Sequence, residues 1–249
     1  MWKIILKVCL GLIFLIIVYL LVTNWLIYYR LNQTNLKASD NRHNYVFNNQ
    51  ATTSPGLIYI ALGDSLTAGV GVSDYEQSYP YLLAQKMAGT STKVTLLNYS
   101  YSGARSSDLI SELLTKAIAD KPDVITLLIG TNDVHGNISP AQFKRNYETI
   151  LTELKTQTKA KINVINIPFI GADSLLWPPH DYYYRTKTIR FNQIIKELAA
   201  TYNFNYIDLA TPTEQYASST GPYYSTDNFH PSDLGYQYWS QVIYANLNR

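Results

Sequence analysis

Hydrophobic residues along this chain form two kinds of run, and their order predicts an architecture. Five short runs rich in β-branched and aliphatic residues have the length of buried strands, at residues 57–62, 94–99, 124–129, 162–167 and 206–209. Longer segments with helical periodicity follow them, at residues 79–87, 107–119, 140–156, 186–202 and 233–247. Strands that are apolar throughout and alternate with helices predict an α/β sandwich around a five-stranded parallel sheet.

The first apolar run differs from these in length. Residues 8–29 contain no charged side chain, and about 20 apolar residues suffice to cross a bilayer as a helix. Trp25, Tyr28 and Tyr29 stand at one end of the run, where aromatic side chains favour the membrane interface. The run is too long for a cleaved signal peptide, and no cleavage site of the A-x-A type follows it. We therefore expect residues 1–30 to form an uncleaved signal anchor, with a span at about residues 8–29.

The charges beside this run give a weak indication of orientation. Lys3 and Lys7 precede it, whereas Arg30, Lys37 and Arg42 follow it, so the positive-inside rule is nearly balanced. A short amino tail before a first span, with a long domain after it, favours an inside tail. We expect a single-pass protein of the cell membrane with the domain that follows the span on the extracellular side.

The chain beyond the anchor divides at a change of composition. Residues 31–56 are rich in Asn, Gln, Thr and Ser and lack apolar periodicity, which is typical of a polar linker. The globular domain is predicted to begin near Leu57 and to occupy residues 57–249.

Composition excludes several functions for that domain. The whole chain of 249 residues has a formal net charge of +2 and no basic block, so nucleic acid is not an expected partner. Its single cysteine, Cys9, rules out an internal disulfide framework. The four histidines have no metal-ligand spacing, so neither a metal nor another cofactor is expected.

Polar segments follow the predicted strands, and the carboxyl ends of parallel strands share one edge of a sheet. They are "GDS" at residues 63–65, "NYSYSGARSSD" at 98–108 and "GTNDVHG" at 130–136; a fourth, "STDNFHPSDLGY" at 225–236, precedes the last helix. A serine nucleophile needs a base that is held by a carboxylate. Ser65 is the candidate nucleophile, His230 its base, and Asp227, three residues earlier, the partner of that base. A turn is the simpler interpretation of Ser65 alone.

An acyl-transfer site also needs donors for the developing oxyanion. The backbone N–H of Ser65, the N–H of Gly103 and the side-chain amide of Asn132 are the candidates. A glycine at the second position lets the backbone approach the substrate closely.

These blocks together resemble the GDSL, or SGNH, hydrolase family. The resemblance rests on "GDSLTAG", Gly103, "GTND" and "DNFHP", in that order across the predicted domain. It implies a flavodoxin-like three-layer fold and esterase or lipase activity. It also implies Ser65, Asp227 and His230 as the catalytic residues, and Ser65, Gly103 and Asn132 as the oxyanion hole.

A second histidine–aspartate pair competes with the first. His180 and Asp181 lie in "WPPHDYYYR", whose proline and aromatic content predicts a surface loop. We expect His180, Tyr182, Tyr183 and Tyr184 to form a substrate lip rather than to supply the base.

The substrate stays open at this stage. A membrane-anchored esterase can act on acyl lipids, on lysophospholipids or on O-acetylated glycans. A long apolar groove favours lipids, whereas a shallow tyrosine-lined cleft favours sugars. Two other functions compete with hydrolysis: an O-acyltransferase that uses the same triad, and an inactive binding module that has kept the fold.

Overall fold

One six-stranded, mostly parallel sheet organises the molecule in a computed structural model of the chain. The structure describes residues 1–33, 44–48, 56–90, 92–136, 138–169, 171, 175–217 and 221–248. The strands are β1 (Asn44–Phe47), β2 (Leu57–Gly63), β3 (Val94–Ser100), β4 (Val124–Leu128), β5 (Lys161–Ile165) and β6 (Asn205–Ile207). Their order in the sheet is β1-β3-β2-β4-β5-β6, and only β1 runs antiparallel to its neighbour.

Helices connect the strands and cover both faces of the sheet. They are α1 (Trp2–Gln33), α2 (Ser65–Ala68), α3 (Tyr79–Ala88), α4 (Ser106–Asp108), α5 (Leu114–Ala119), α6 (Thr131–His135), α7 (Pro140–Gln157), α8 (His180–Tyr202), α9 (Ala210–Ala217) and α10 (Asp233–Ala245). A π-helical segment, Leu109–Leu113, joins α4 to α5. Local sequence explains the start of α7, where Ser139 is the N-cap and Pro140 is the first helical residue. Proline is favourable at this position because the N–H that it lacks would have no acceptor within the helix.

Two hydrophobic cores lie on the two faces of the sheet. Alternate residues of β2 divide between them, with Ile60 and Leu62 on the face covered by α5, α7 and α8. Tyr59 and Ala61 point to the other face, which α3 and α10 cover. All five residues of β4 are buried, as expected for a strand with helices on both sides. The predicted flavodoxin-like three-layer fold is therefore confirmed.

Several features differ from the expectation, among them α9 (Ala210–Ala217), a helix that was not predicted. A sixth strand, β1, lies within the predicted linker and pairs with β3 through backbone hydrogen bonds, so part of that polar segment belongs to the sheet. The first helix continues past the apolar run to Gln33. Residues 180–185 of the predicted surface loop are instead the first part of α8, which begins at His180. The remaining linker residues, 34–43 and 49–55, lie outside the described residues.

Strand order also indicates where a site is expected. Apart from β1, the order of the parallel strands is that of a doubly wound sheet, which reverses direction between β2 and β4. The loops that leave neighbouring strands at this point diverge to opposite faces and open a crevice. Ser65 follows β2 and Asn132 follows β4, so both lie at the reversal.

Candidate active site

The site begins with three strand ends that lie side by side. Gly63 at the end of β2 is paired with Ser100 of β3 on one side and with Leu128 of β4 on the other. A β-carbon at Gly63 would lie only 2.4 Å from the carbonyl oxygen of Leu128, so this position requires glycine. The segments after these strands therefore start at the same edge of the sheet.

Ser65 is the first residue of α2 and is 4% exposed. The preceding residue, Asp64, caps the helix by accepting a hydrogen bond from the backbone N–H of Leu66 at 3.0 Å. As the first residue of a helix, Ser65 has an N–H with no acceptor inside that helix. Its hydroxyl and its N–H therefore both lie where a strand meets a helix amino terminus.

A short hairpin-like turn carries the histidine to this serine. Tyr224 and Pro231 form an antiparallel bridge, and the N–H of Ser225 donates to the carbonyl of His230 at 2.8 Å. Within the turn, Nδ1 of His230 lies 2.5 Å from Oδ2 of Asp227. Nε2 of His230 lies 3.0 Å from Oγ of Ser65. The predicted serine, histidine and aspartate are thus joined in series by two hydrogen-bond contacts.

The carboxylate of Asp227 is buried but well supplied with donors. Its Oδ1 accepts from the Ser225 hydroxyl at 2.7 Å and from the backbone N–H groups of Phe229 and His230 at 2.8 and 2.9 Å. Burial by itself raises the pKa of Asp227, but the hydrogen bond and the electrostatic interaction with His230, together with the donors above, outweigh it. The pKa is therefore lowered, and the group is held ionised beside the histidine.

Two candidate oxyanion donors are connected through the loop after β3. One side-chain N–H of Asn132 donates to the carbonyl of Ala104 at 2.9 Å, which leaves the second N–H of the amide for another acceptor. Gly103, next to Ala104, has φ +86°, a conformation that glycine adopts without strain. The contact fixes Asn132 against the segment that carries Gly103.

The same loop is also held by Asp133. Its two carboxylate oxygens accept from the N–H and the hydroxyl of Ser106 at 2.9 and 2.5 Å. Asn146 of α7 donates to that hydroxyl at 2.9 Å. Burial raises the pKa of Asp133, and the donors from Ser106 oppose that shift. The geometry gives Asp133 a supporting position rather than contact with Ser65.

Asp64 is the other buried carboxylate beside the serine. It is fully buried, and its Oδ2 has no hydrogen-bond partner among the described residues. Burial raises its pKa to about 7, against the lowering effect of the Leu66 N–H, and the nearby carboxylate of Asp133 adds to the rise. Asp64, next to Ser65 in the chain, and Asp227, which contacts His230, therefore have opposite pKa shifts.

The predicted lip residues lie at the start of α8 and divide into two groups. Nε2 of His180 lies 2.9 Å from the hydroxyl of Thr23 in α1, so its ring contacts the first helix. Tyr182 and Tyr183 are exposed and line a groove of about 830 Å³. Tyr184 points the other way and packs on His135, with ring centroids 4.4 Å apart.

Two features of the site were given no role on the basis of sequence. His135 links Tyr184 to Phe229, whose ring centroid lies 5.2 Å from that of His135 and 5.0 Å from that of His230. Burial and the charge of Lys187 lower the pKa of His135 to about 4, so this ring is neutral. A histidine directly after "GTNDV" was the only sequence signal for this contact.

Gly71 is the second such feature. It has φ +101°, and a β-carbon there would lie 2.4 Å from the carbonyl oxygen of Pro231 and 3.0 Å from Cβ of His230. The absence of a side chain lets this segment pack directly against the histidine turn. The sequence showed only a glycine after "GV", a pattern without a distinctive meaning.

Comparisons with known proteins find similarity over most of the chain. A family model described as GDSL-like Lipase/Acylhydrolase matches residues 61–238. The spore germination lipase LipC of Bacillus licheniformis is 26% identical over 218 residues, which cover 76% of this chain and 95% of that protein.

Solved structures show the same fold. The lipase/acylhydrolase from Enterococcus faecalis superimposes with a TM-score of 0.62 at 24% identity, over 76% of this chain and 94% of that one. The acetyl xylan esterase AlAXEase gives a TM-score of 0.62 at 22% identity, over 77% and 100%. At such identities the likeness establishes the fold alone.

Proposed function

This chain belongs to the GDSL-like lipase/acylhydrolase family and is an ester hydrolase, and we propose that Ser65, His230 and Asp227 are its catalytic triad. The observation that carries this proposal is the series of contacts from Ser65 through His230 to Asp227, at 3.0 and 2.5 Å. The 3.0 Å contact is within reach for proton transfer from the serine to the histidine, and the short contact with Asp227 orients the ring.

Acylation follows from this geometry. Nε2 of His230 removes the proton from Oγ of Ser65 while that oxygen attacks the carbonyl carbon of the ester. Asp227 accepts from Nδ1, which fixes the tautomer of the ring and stabilises the imidazolium that forms. The tetrahedral intermediate then expels the alcohol, which takes the proton from His230 and leaves an acyl group on Ser65.

The negative charge of the intermediate requires donors that are in place before the reaction. We assign this role to the N–H groups of Ser65 and Gly103 and to the free side-chain N–H of Asn132. The contact between Asn132 and Ala104 supports the assignment, because it holds the amide and the glycine loop in one arrangement. One donor of this kind contributes about 3–4 kcal/mol of transition-state stabilisation.

Deacylation uses the same groups in reverse. His230 removes a proton from water, the hydroxide oxygen attacks the acyl-enzyme, and Ser65 recovers its proton as the carboxylic acid leaves. An alcohol in place of water gives acyl transfer, so the acceptor decides between the hydrolase and the transferase.

The acyl part of the substrate is proposed to be a lipid chain. The groove of about 830 Å³ is lined on its apolar side by Ile138, Pro140, Pro179, Tyr182 and Tyr183. A row of rings leads from this groove to the triad, through Tyr183, Tyr184, His135 and Phe229 to His230, with successive centroids 4.4–5.3 Å apart. A volume of this size fits a lipid-sized ligand better than an acetyl group.

The apolar amino-terminal helix also supports the proposal of a lipid substrate. Among the described residues one helical span, Trp2–Tyr29, is long and apolar enough to cross a membrane, and an 18-residue stretch within it has a mean hydropathy of 3.0. We propose that it keeps the domain, on the extracellular side, beside ester lipids of its own membrane.

The test uses the purified full-length protein in detergent with p-nitrophenyl esters from acetyl to palmitoyl. We expect hydrolysis that increases toward medium and long acyl chains. Ser65→Ala is expected to lower kcat by at least about 10⁴-fold and to abolish labelling by a fluorophosphonate. Ser111→Ala, which changes an exposed serine, is the matched control and is expected to keep both properties.

Other results separate the alternatives. Full labelling of Ser65→Ala contradicts the assigned nucleophile. A strong preference for acetyl esters contradicts the lipid substrate and favours an O-acetylated glycan. Accumulation of a new ester when an alcohol is added, at the expense of free acid, identifies an acyltransferase.

A further inference from the structure

The contact between α1 and the catalytic domain follows one stripe of the helix. Among the α1 side chains that the structure describes, Leu20, Thr23, Leu26 and Ile27 are buried or half-buried, and the rest are exposed. Their spacing of three and four residues places them on one face of a helix. Thr23 is 2% exposed even though it lies in the middle of an apolar segment.

The opposite side of this contact is the segment 175–180, just before α8. The hydroxyl of Tyr19 donates to the carbonyl of Pro178 at 2.6 Å, and the Thr23 hydroxyl meets Nε2 of His180 at 2.9 Å. Leu175 and Trp177 enclose a narrow crevice with Thr23, Leu26 and Ile27. Polar and apolar contacts together therefore join the helix to this segment.

The position of the contact restricts where the membrane lies. Tyr19 is about 15 Å along the helix from Tyr29, so a span over residues 8–29 would bring Pro178 near the centre of the bilayer. Irregular backbone that faces lipid is not stable at that depth. The exposed part of α1, from Trp2 to Tyr19, is about 27 Å long, close to the roughly 30 Å hydrocarbon core. Lys3 and Lys7 then lie in its first two turns, where long cationic side chains reach the headgroups.

An exposed apolar face of the domain continues from this contact. Tyr182, Tyr183 and Ile189 are 72%, 50% and 54% exposed, and Trp177 is 36% exposed. Tyr182 and Ile189 are seven residues apart and so share one side of α8. Arg190, also exposed, adds a cation beside them. Tryptophan and tyrosine favour the membrane interface, and arginine suits lipid phosphates.

We propose that Trp177, Tyr182, Tyr183 and Ile189 form a membrane-contact face that lies in the lipid interface where α1 leaves the bilayer. The contacts of Tyr19 and Thr23 with the segment 175–180 hold this face in place. The occupant of the face is the phospholipid bilayer itself, because the apolar helix that enters the bilayer is already packed against it. The inference extends the proposed function and does not depend on catalysis.

The experiment uses full-length protein reconstituted in phospholipid vesicles that carry nitroxide groups near the headgroups. Cys9→Ser provides a background for single labelled cysteines, introduced by Tyr182→Cys, Ile189→Cys or Thr201→Cys. Thr201 is an exposed residue about 18 Å farther along α8 from Ile189 and is the matched control. We expect at least about twofold quenching of an environment-sensitive fluorophore at 182 and 189, and none at 201.

A second variant tests the role of α1. Tyr19→Phe with Thr23→Val removes both hydrogen bonds but keeps an apolar anchor. We expect quenching at 182 to fall toward the level at 201, while hydrolysis of a soluble short ester stays within about twofold and shows that the domain is folded. Unchanged quenching in this variant shows that α1 does not hold the face.

Equal, low quenching at all three positions overturns the membrane-contact face itself. If the protein hydrolyses no ester but is quenched at 182 and 189, the result supports the membrane-contact face and rejects only the proposed function. The two failures are therefore distinguishable.

Discussion

The two histidine–aspartate pairs of this molecule contain the same residue types but lie in different backbone conformations. In the first pair, Asp227 stands three residues before His230, and a turn closed by the Tyr224–Pro231 bridge brings the carboxylate against the ring. In the second, Asp181 directly follows His180 in the first turn of α8, where adjacent side chains point in different directions. Whether a histidine and an aspartate contact each other therefore depends on the conformation of the backbone that joins them.

The two rings also face different partners. Nε2 of His230 meets the hydroxyl of Ser65, at the amino end of α2, whereas Nε2 of His180 meets the hydroxyl of Thr23 in the anchor helix. Both are contacts of a histidine with a hydroxyl at about 3 Å. Only the first hydroxyl lies at the carboxyl edge of the sheet, close to the strand that carries Asn132. We therefore propose that the first pair acts in catalysis and that the second joins α8 to α1.

Replacing each histidine in turn tests this difference and has the largest expected effect. His230→Ala removes the base, and we expect kcat to fall about 10⁴- to 10⁶-fold with little change in KM. His180→Ala leaves the triad intact, and hydrolysis of a short soluble ester in detergent should stay within about twofold. Steady-state kinetics of both purified proteins provides the measurement. Comparable losses in the two variants would contradict the assignment of His230 as the base.

Replacing each aspartate gives the next largest effect. Asp227→Asn keeps the shape of the side chain but no longer stabilises the imidazolium or fixes its tautomer, so we expect kcat to fall about 10³- to 10⁴-fold. Asp181→Asn is the matched control, with an expected change below about twofold. The same kinetic assay measures both. A normal kcat in Asp227→Asn shows that another group orients His230.

The smallest expected effect is on the pH dependence of folding stability. Here the comparison is between Asp227 and Asp64, the buried carboxylate next to Ser65 in the chain. The lowered pKa of Asp227 means that it stabilises the folded state above its ordinary pKa near 4. This contribution is lost as the pH falls through the lower folded-state pKa. The stability difference between wild type and Asp227→Asn should therefore narrow on acidification below about pH 4.

Asp64 should show the opposite trend. Its folded-state pKa is raised from 3.8 to about 7, so between these values the folded protein holds a proton that the unfolded chain has lost. Wild-type stability then falls as the pH rises through this window, by up to about 4 kcal/mol, whereas Asp64→Asn lacks this dependence. Urea unfolding of the three proteins at pH values from about 2 to 7.5 checks both trends. Parallel curves for wild type and Asp64→Asn would show that Asp64 is ionised in the folded state.

Sequence alone determined the five parallel strands, most of the long helices and the candidate residues. The continuous apolar runs of β2 to β5 and the caps of α7 and α10 are local signals, so most boundaries lie within a few residues of those observed. The blocks around Ser65, Gly103, Asn132 and His230 identified the family, because four short motifs in order are far more specific than any one of them.

Only the tertiary structure determined the features that depend on contacts between distant segments. β1 was missed because a four-residue edge strand gains its stability from pairing with β3 rather than from its own sequence. The start of α8 was missed because prolines and tyrosines have weak helix propensity, which packing of Tyr184 on His135 and the contact with α1 override. The need for glycine at 71 arises from the carbonyl of Pro231, which is distant in sequence. Local propensity acts over a few residues, whereas these contacts join segments that only the folded chain brings together.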